Sequence, residues 1–163
     1  MIRLFTYLTI LFLLITEPTI AQTNNVKGAI TAEELKSEHK IFDIYTQRYQ
    51  PDSASVAFLS DFDHIIDIKI LFGSWCHDSK REVSAFIKTI ELANNTNFRI
   101  QYMPVNEEKM DSNGFYERYN LQYTPTFIIL MDENEIGRIV ESPTESIEQD
   151  LVSILSIGNF KDR

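Results

Sequence analysis

An α/β fold, a mixed β-sheet flanked by helices, is predicted by three observations. From residue 65 onward, segments of alternating apolar and polar residues take turns with segments of helical periodicity, in the order β-α-β-α-β-β-α. Helix-start signals stand where that order needs them, at Asp111 and Ser142. A short polar turn over 132–135 separates the last two strands and pairs them as a hairpin.

The chain opens on a segment that reads as an export signal. Arg3 supplies a positive n-region, residues 4–15 are apolar, and Thr16, Glu17 and Pro18 end the run before the small-x-small site Thr19-Ile20-Ala21. We expect cleavage after about Ala21 and export, to a periplasm-like compartment. The apolar run is short for a membrane span, so an N-terminal membrane anchor is the alternative, and no membrane contact is expected beyond this segment. No cysteine lies near the cleavage site, which excludes a lipid anchor on cysteine. Cleavage leaves 142 of the 163 residues, enough for one domain with a real core. It removes one basic residue (Arg3) and one acidic residue (Glu17), so the net charge stays at −9. An acidic surface of that kind argues against nucleic acid as a partner.

Residues 22–30 read as a flexible lead-in to a single domain over 31–163. A helical extension occupies 31–64. Thr31-Ala32-Glu33-Glu34 is a capping box that starts a helix, and Leu35, Phe42, Tyr45 and Tyr49 keep one face of it until Pro51. A second short helix is expected over 52–62, with Val56 and Leu59 inward. The extension carries no chemical motif and is read as a cover for the core.

The core spans 65–157. Ile66, Ile68, Ile70 and Phe72 alternate with Asp67, Lys69 and Leu71 in a strand that runs into Gly73-Ser74. Val83, Phe86, Ile87 and Ile90 give the buried face of a helix ending near Asn94-Asn95. A second strand covers 98–103, and Asp111-Ser112 caps a short helix through Phe115, Tyr116 and Tyr119. Residues 126–131 form a strongly apolar third strand, and 136–140 return as its hairpin partner. The last helix is expected to have Ser142 as N-cap, Pro143 in its first position and Glu145 completing the box, with Ile147, Leu151, Ile154 and Leu155 buried.

The chemistry centres on Cys76, the only cysteine. The protein cannot form a disulfide within itself, and a lone cysteine in an exported chain points to a reactive thiol or an intermolecular partner. The bland alternative is an inert cysteine packed as a small hydrophobe. Position favours reactivity. Cys76 lies at a strand-to-helix junction, where the unsatisfied N–H groups of the helix favour thiolate over thiol. Lys80 and Arg81 are expected to add positive charge, and Asp78 to oppose it. Ser79 can donate a hydrogen bond to the thiolate but cannot resolve a mixed disulfide. Release then requires another thiol, small or protein-borne.

The segment Phe72-Gly73-Ser74-Trp75-Cys76-His77-Asp78-Ser79-Lys80-Arg81-Glu82-Val83 resembles the active-site segment of the thioredoxin superfamily, and is most similar to its exported branch that includes the cytochrome c-maturation reductases. Tyr123-Thr124-Pro125-Thr126-Phe127 resembles that family's cis-proline loop, and residues 135–143 its hairpin and final-helix entry. The resemblance covers about 65–157 and implies a thioredoxin-like fold. It implies Cys76 as attacking thiol, Trp75 as shield of the sulfur and part of the binding surface, and a cis Pro125. The backbone of Thr124 would pair with an extended substrate. Glu82 would be an acid/base, or else an ordinary exposed helix glutamate. His77, inside the motif, would help stabilise the thiolate or have no role. The implied partners are disulfides or mixed disulfides of other exported proteins, with an external resolving thiol and no cofactor.

The departures are as definite. Ser79 replaces the resolving cysteine, Ile70 stands where the family has a buried aspartate, Ser84 replaces a helix-kinking proline, and Glu141 lies where a glycine-containing turn is usual. A redox-silent peptide-binding module is therefore the rival reading, with Cys76 incidental. A metal site built from Cys76, His77 and Asp78 is a third. Adjacent side chains chelate poorly, and no metal is expected. His39 and His64 are read as surface residues.

Overall fold

The computed structural model describes residues 28–157, and the segment read as an export signal, most of the lead-in and the last six residues lie outside them. The elements are α1 (Ala32–Glu38), α2 (Lys40–Arg48), α3 (Ser53–Asp61), β1 (Ile66–Phe72), α4 (His77–Ala93), β2 (Phe98–Pro104), α5 (Phe115–Arg118), β3 (Thr126–Met131), β4 (Asn134–Val140) and α6 (Ile147–Ile157). The sheet order is β2-β1-β3-β4. β1 and β2 are parallel across the α4 crossover, whereas β3 is antiparallel to both β1 and β4. This is the mixed, helix-flanked, thioredoxin-like arrangement that the resemblance implies.

The period-two pattern of the strands sorts their side chains between two faces. Ile66, Ile68, Ile70 and Phe72 of β1, with Phe127 and Ile129 of β3, face the larger core, where Val83, Phe86 and Ile87 of α4 and Leu151 and Leu155 of α6 meet them. Leu71, Met103, Val105, Leu121 and Ile128 build a smaller core on the other face, against Phe115, Tyr116 and Tyr119 around α5. Gly137 brings α6 close to β4: a Cβ there would stand 2.7 Å from a methyl of Ile154.

The extension lies over α4 as a further helical layer. Phe42 is fully buried, with its ring edge-on to Phe72 at 5.8 Å. Burying such a side chain is worth about 1.5–3 kcal/mol. Ser84 explains its own departure from proline: its hydroxyl donates to the Phe42 carbonyl (3.1 Å), and the Thr46 hydroxyl donates to the Ser84 carbonyl (3.3 Å). Two buried polar contacts thus fasten α2 to α4.

Three expectations need correction. The helix after Thr31 is not continuous. The capping box forms, but His39 leaves helical geometry (φ −128°, ψ 86°) and separates α1 from α2. Lys36-Ser37-Glu38-His39-Lys40 holds no apolar side chain to pack across the break, while Leu35 and Phe42 are each held in the core. The lead-in is tied down at its end, because the Ile30 N–H donates to the Tyr102 carbonyl (2.8 Å) and pairs with edge strand β2. Finally, α6 starts at Ile147, not at Pro143. The overlapping signature Ser146-Ile147-Glu148-Gln149 wins: Ser146 Oγ accepts from the Gln149 N–H (3.4 Å), and the Ser146 hydroxyl donates to Gln149 Oε1 (3.2 Å). Asp150 then collects the N–H groups of Thr144 (2.7 Å) and Glu145 (3.2 Å), which a helix from Pro143 would have used otherwise. Ser142 instead accepts from the Arg81 guanidinium.

Candidate functional site

The end of β1 and the start of α4 set the sulfur. Gly73 and Ser74 turn the chain, the Cys76 N–H closes the turn on the Gly73 carbonyl (3.0 Å), and Cys76 is the N-cap of α4 with extended backbone. Its side chain makes no capping bond, so the first N–H groups of the helix face the sulfur. Ser79, one turn on, is fully buried. Ser79 Oγ accepts the Gly73 N–H (3.2 Å), which fixes the hydroxyl beneath the turn and leaves its proton for another acceptor.

The Thr124–Pro125 peptide bond is cis, as the resemblance implies. It brings the Thr124 carbonyl within 3.2 Å of Cys76 Sγ, to which the thiol donates. Pro125 is held from behind by the Glu141 N–H, which donates to its carbonyl (2.7 Å). Glu141 adopts φ +65° there, the left-handed backbone that explains why a glycine-containing turn is usual at this place. Thr124 itself is 4% exposed, and its carbonyl is already engaged by the thiol. An arriving segment must displace that bond to pair with it.

Partial burial pushes the Cys76 thiol up, but interactions that favour the thiolate outweigh it, and the net pKa lies below the ordinary value. They come from the Thr124 side chain, the Ser79 N–H and hydroxyl, and the Asp78 N–H. The helix start and Ser79 therefore act as expected, whereas the basic side chains do not. Lys80 donates to the Trp75 carbonyl (3.2 Å). Arg81 is held by Asp78 (3.0 Å) and by Glu82, so its charge is spent on carboxylates. His77 is exposed, with no hydrogen bond to the sulfur.

Glu82 is no ordinary surface glutamate. It is 7% exposed and pairs with the Arg81 guanidinium. Across from it, Glu148 of α6 is 3% exposed and accepts from the Tyr49 hydroxyl (2.9 Å) and the Asp52 N–H (3.0 Å). Burial, then the Glu148 hydrogen bond and charge, with Glu82 adding to them, hold the Tyr49 phenol above its ordinary pKa. The sequence reading missed this cluster around Glu148. The one signal available was a glutamate on the otherwise apolar face of the last helix.

Trp75 is 38% exposed and covers Gly73 so closely that a Cβ on that residue would stand 2.5 Å from the indole. Its Nε1–H donates to the Val105 carbonyl (3.4 Å). Tyr123, two residues before Pro125, is 53% exposed, with the Lys109 ammonium 5.5 Å from its ring centre. A cavity of about 520 Å³ adjoins Trp75, lined among others by His39 from the extension and by Glu107 and Glu108 after β2. None of these three carried a motif. Only the folded chain brings them to the tryptophan. Among the described residues, no group of three His, Cys, Asp or Glu side chains could hold a metal ion, and no helix is long and apolar enough to cross a membrane.

No family model matches the chain, and no curated protein matches it either. Among solved structures, it is similar to a protein of unknown function from Pseudomonas aeruginosa, with a TM-score of 0.52 and 17% identity over 78% of this chain and 84% of that one. An HIV epitope-scaffold gives a TM-score of 0.51 at 17% identity, over 78% and 85% of the two chains. Thioredoxin f2 of Chlamydomonas reinhardtii aligns over 60% of this chain and 82% of its own, at 13% identity and a TM-score of 0.42. The first two likenesses, at such identities, speak to fold alone.

Proposed function

We propose that the protein is an exported thiol–disulfide exchange protein that acts through Cys76 as a single nucleophile. The observation that carries this reading is the sulfur's setting. Cys76 is the N-cap residue of α4 and helix N–H groups favour its thiolate, while buried Ser79 stands where a resolving thiol would be needed. The Cys76 thiolate attacks a partner's disulfide. A bond forms between Cys76 Sγ and one partner sulfur, the partner's S–S bond breaks, and the other sulfur leaves as thiolate. An external thiolate then attacks the mixed disulfide, takes the partner sulfur and returns Cys76 as thiolate. The exchange is redox-neutral overall, which suits shuffling or capture better than net reduction. The N-terminal segment that reads as an export signal supports partners among exported proteins of an oxidising compartment such as a periplasm.

The test has two parts. Purified protein should alkylate at Cys76 with a pH profile displaced below that of an ordinary thiol, whose pKa is roughly 8.5. In the native host, a rapid alkylating quench should preserve covalent adducts that mass spectrometry assigns to Cys76 and that Cys76→Ala abolishes. An ordinary or raised pKa, together with no adduct specific to Cys76, would sink the reading. A redox-silent binding module draws support from the exposed rings of Trp75 and Tyr123, which adjoin Cys76 and Thr124 in sequence. It predicts partner binding that Cys76→Ala leaves intact.

A further inference from the structure

Beside the sulfur, and outside everything assigned so far, the N-terminal extension and the segment after β2 enclose a groove with Trp75 as one wall. Its floor is apolar, made by Phe72 and Val105, both at most 4% exposed. Its rim carries Glu107 and Glu108 from the segment after β2, and among the described residues no lysine or arginine lines it. Two nearby cations have other partners: the Lys109 ammonium lies over Tyr123, and Lys80 donates to the Trp75 carbonyl. The cavity of about 520 Å³ falls within the roughly 300–1,000 Å³ of sites that hold small ligands and side chains.

We propose that this groove seats a basic side chain, arginine or lysine, of the partner polypeptide, within about three residues of the cysteine that Cys76 attacks. The inference deepens the exchange reading and rests on it for the position of the partner's cysteine. Two features select this occupant. The carboxylates complement a cation and repel an acidic segment. The partly exposed indole of Trp75 offers a cation an aromatic face and the side chain's methylenes an apolar one. Trp75 lines the groove and directly precedes Cys76 in the chain. A peptide whose disulfide meets Cys76 therefore reaches the groove within a few extended residues, at about 3.3 Å per residue.

The chain's single tryptophan makes the groove directly observable, since Trp75 emission reports its occupancy. Two peptides of equal length, one with arginine and one with glutamate near a serine that replaces cysteine, should differ. The basic one should change Trp75 emission saturably, with the effect weakening as salt rises. As mixed disulfides, the corresponding cysteine peptides should exchange with Cys76 at rates differing by about tenfold in favour of the basic one at low salt. The double variant Glu107→Gln/Glu108→Gln should shrink that ratio severalfold, and Glu107→Lys/Glu108→Lys should invert it. Both positions are exposed, so the fold is not at stake. A ratio near one in the unaltered protein, or one that survives charge reversal, overturns the groove assignment while leaving exchange intact. Emission changes with the basic serine peptide but no disulfide exchange by any peptide would refute the exchange reading and support the groove. Emission that varies with protein concentration alone would make a second copy of this chain the occupant and overturn the proposal.

Discussion

Gly73→Ala tests how the tryptophan rests on Gly73 and, with it, the expectation that Trp75 shields the sulfur. An added Cβ would lie 2.5, 2.7 and 2.8 Å from three atoms of the Trp75 indole. Ordinary contact begins near 3.4 Å, so the ring must retreat by about 1 Å. Overpacking a core costs about 1–3 kcal/mol. Here the cost should sit at the low end, because Trp75 is already 38% exposed and can tilt toward solvent. The hydrogen bond it would forfeit, Nε1–H to the Val105 carbonyl, is long at 3.4 Å and worth at most about 1 kcal/mol. Replacing glycine also stiffens the unfolded chain, offsetting about 0.4–1 kcal/mol of the cost. A net loss of about 1 kcal/mol, or a few degrees in melting temperature, should accompany a large local change. Emission from the only tryptophan should shift and become easier to quench. Cys76, less shielded, should alkylate faster at fixed pH. Unchanged emission and alkylation would mean that the indole does not rest on Gly73, and the account of its shielding role would fall.

Ser79→Ala removes a hydroxyl that favours the Cys76 thiolate and leaves the Gly73 N–H without its acceptor. The alkylation profile of Cys76 should therefore move to higher pH, and a profile that stays in place would exclude Ser79 as a thiolate donor. The same linkage acts on stability. Because the folded thiol pKa is lowered, its contribution is present above the unfolded thiol's pKa and fades as pH falls through the folded value. Urea unfolding at stepped pH, comparing the unaltered protein with Cys76→Ala, should show this sign. Glu148→Ala should cost roughly 2–3 kcal/mol, because two hydrogen bonds to a charged acceptor are lost, each worth about 1.5–3 kcal/mol before solvent relieves the partly exposed donors. Glu148→Gln keeps an acceptor oxygen and should cost clearly less. Equal urea midpoints for the two variants would show that the cluster does not hold α6 to the extension.

Every core element was legible in the sequence as to kind, because strand and helix periodicities are local properties of the chain. β3 was placed to the residue, since an unbroken apolar run over residues 127–131 follows Pro125-Thr126 and ends at a polar turn. The end of α4 was legible from Asn94, which closes it in the left-handed conformation. The pairing of Cys76 with Pro125 was legible through resemblance. What local pattern left open was any choice between competing local signals. Ser142 and Ser146 each head a valid capping signature, and only packing α6 against β4 and seating Glu148 beneath Tyr49 decides for the second. The stretch from Thr31 to Pro51 reads as one amphipathic helix, and the folded chain breaks it at His39, where residues 36–40 offer no apolar side chain to the core.

The electrostatics divide in the same way. That a sulfur at a helix start prefers the thiolate follows from backbone geometry, and the sequence alone determined it. Whether Lys80, Arg81 or Glu82 act on that sulfur depends on which partners their side chains reach. The folded chain turns Arg81 to carboxylates, Lys80 to a carbonyl, and Glu82 inward. Long side chains can satisfy themselves several ways at nearly equal local energy, so tertiary neighbours choose. The groove beside Trp75 is the extreme case. Its walls come from the break at His39, the end of β1 and the segment after β2, far apart in sequence, and no one of them carries a sign of it.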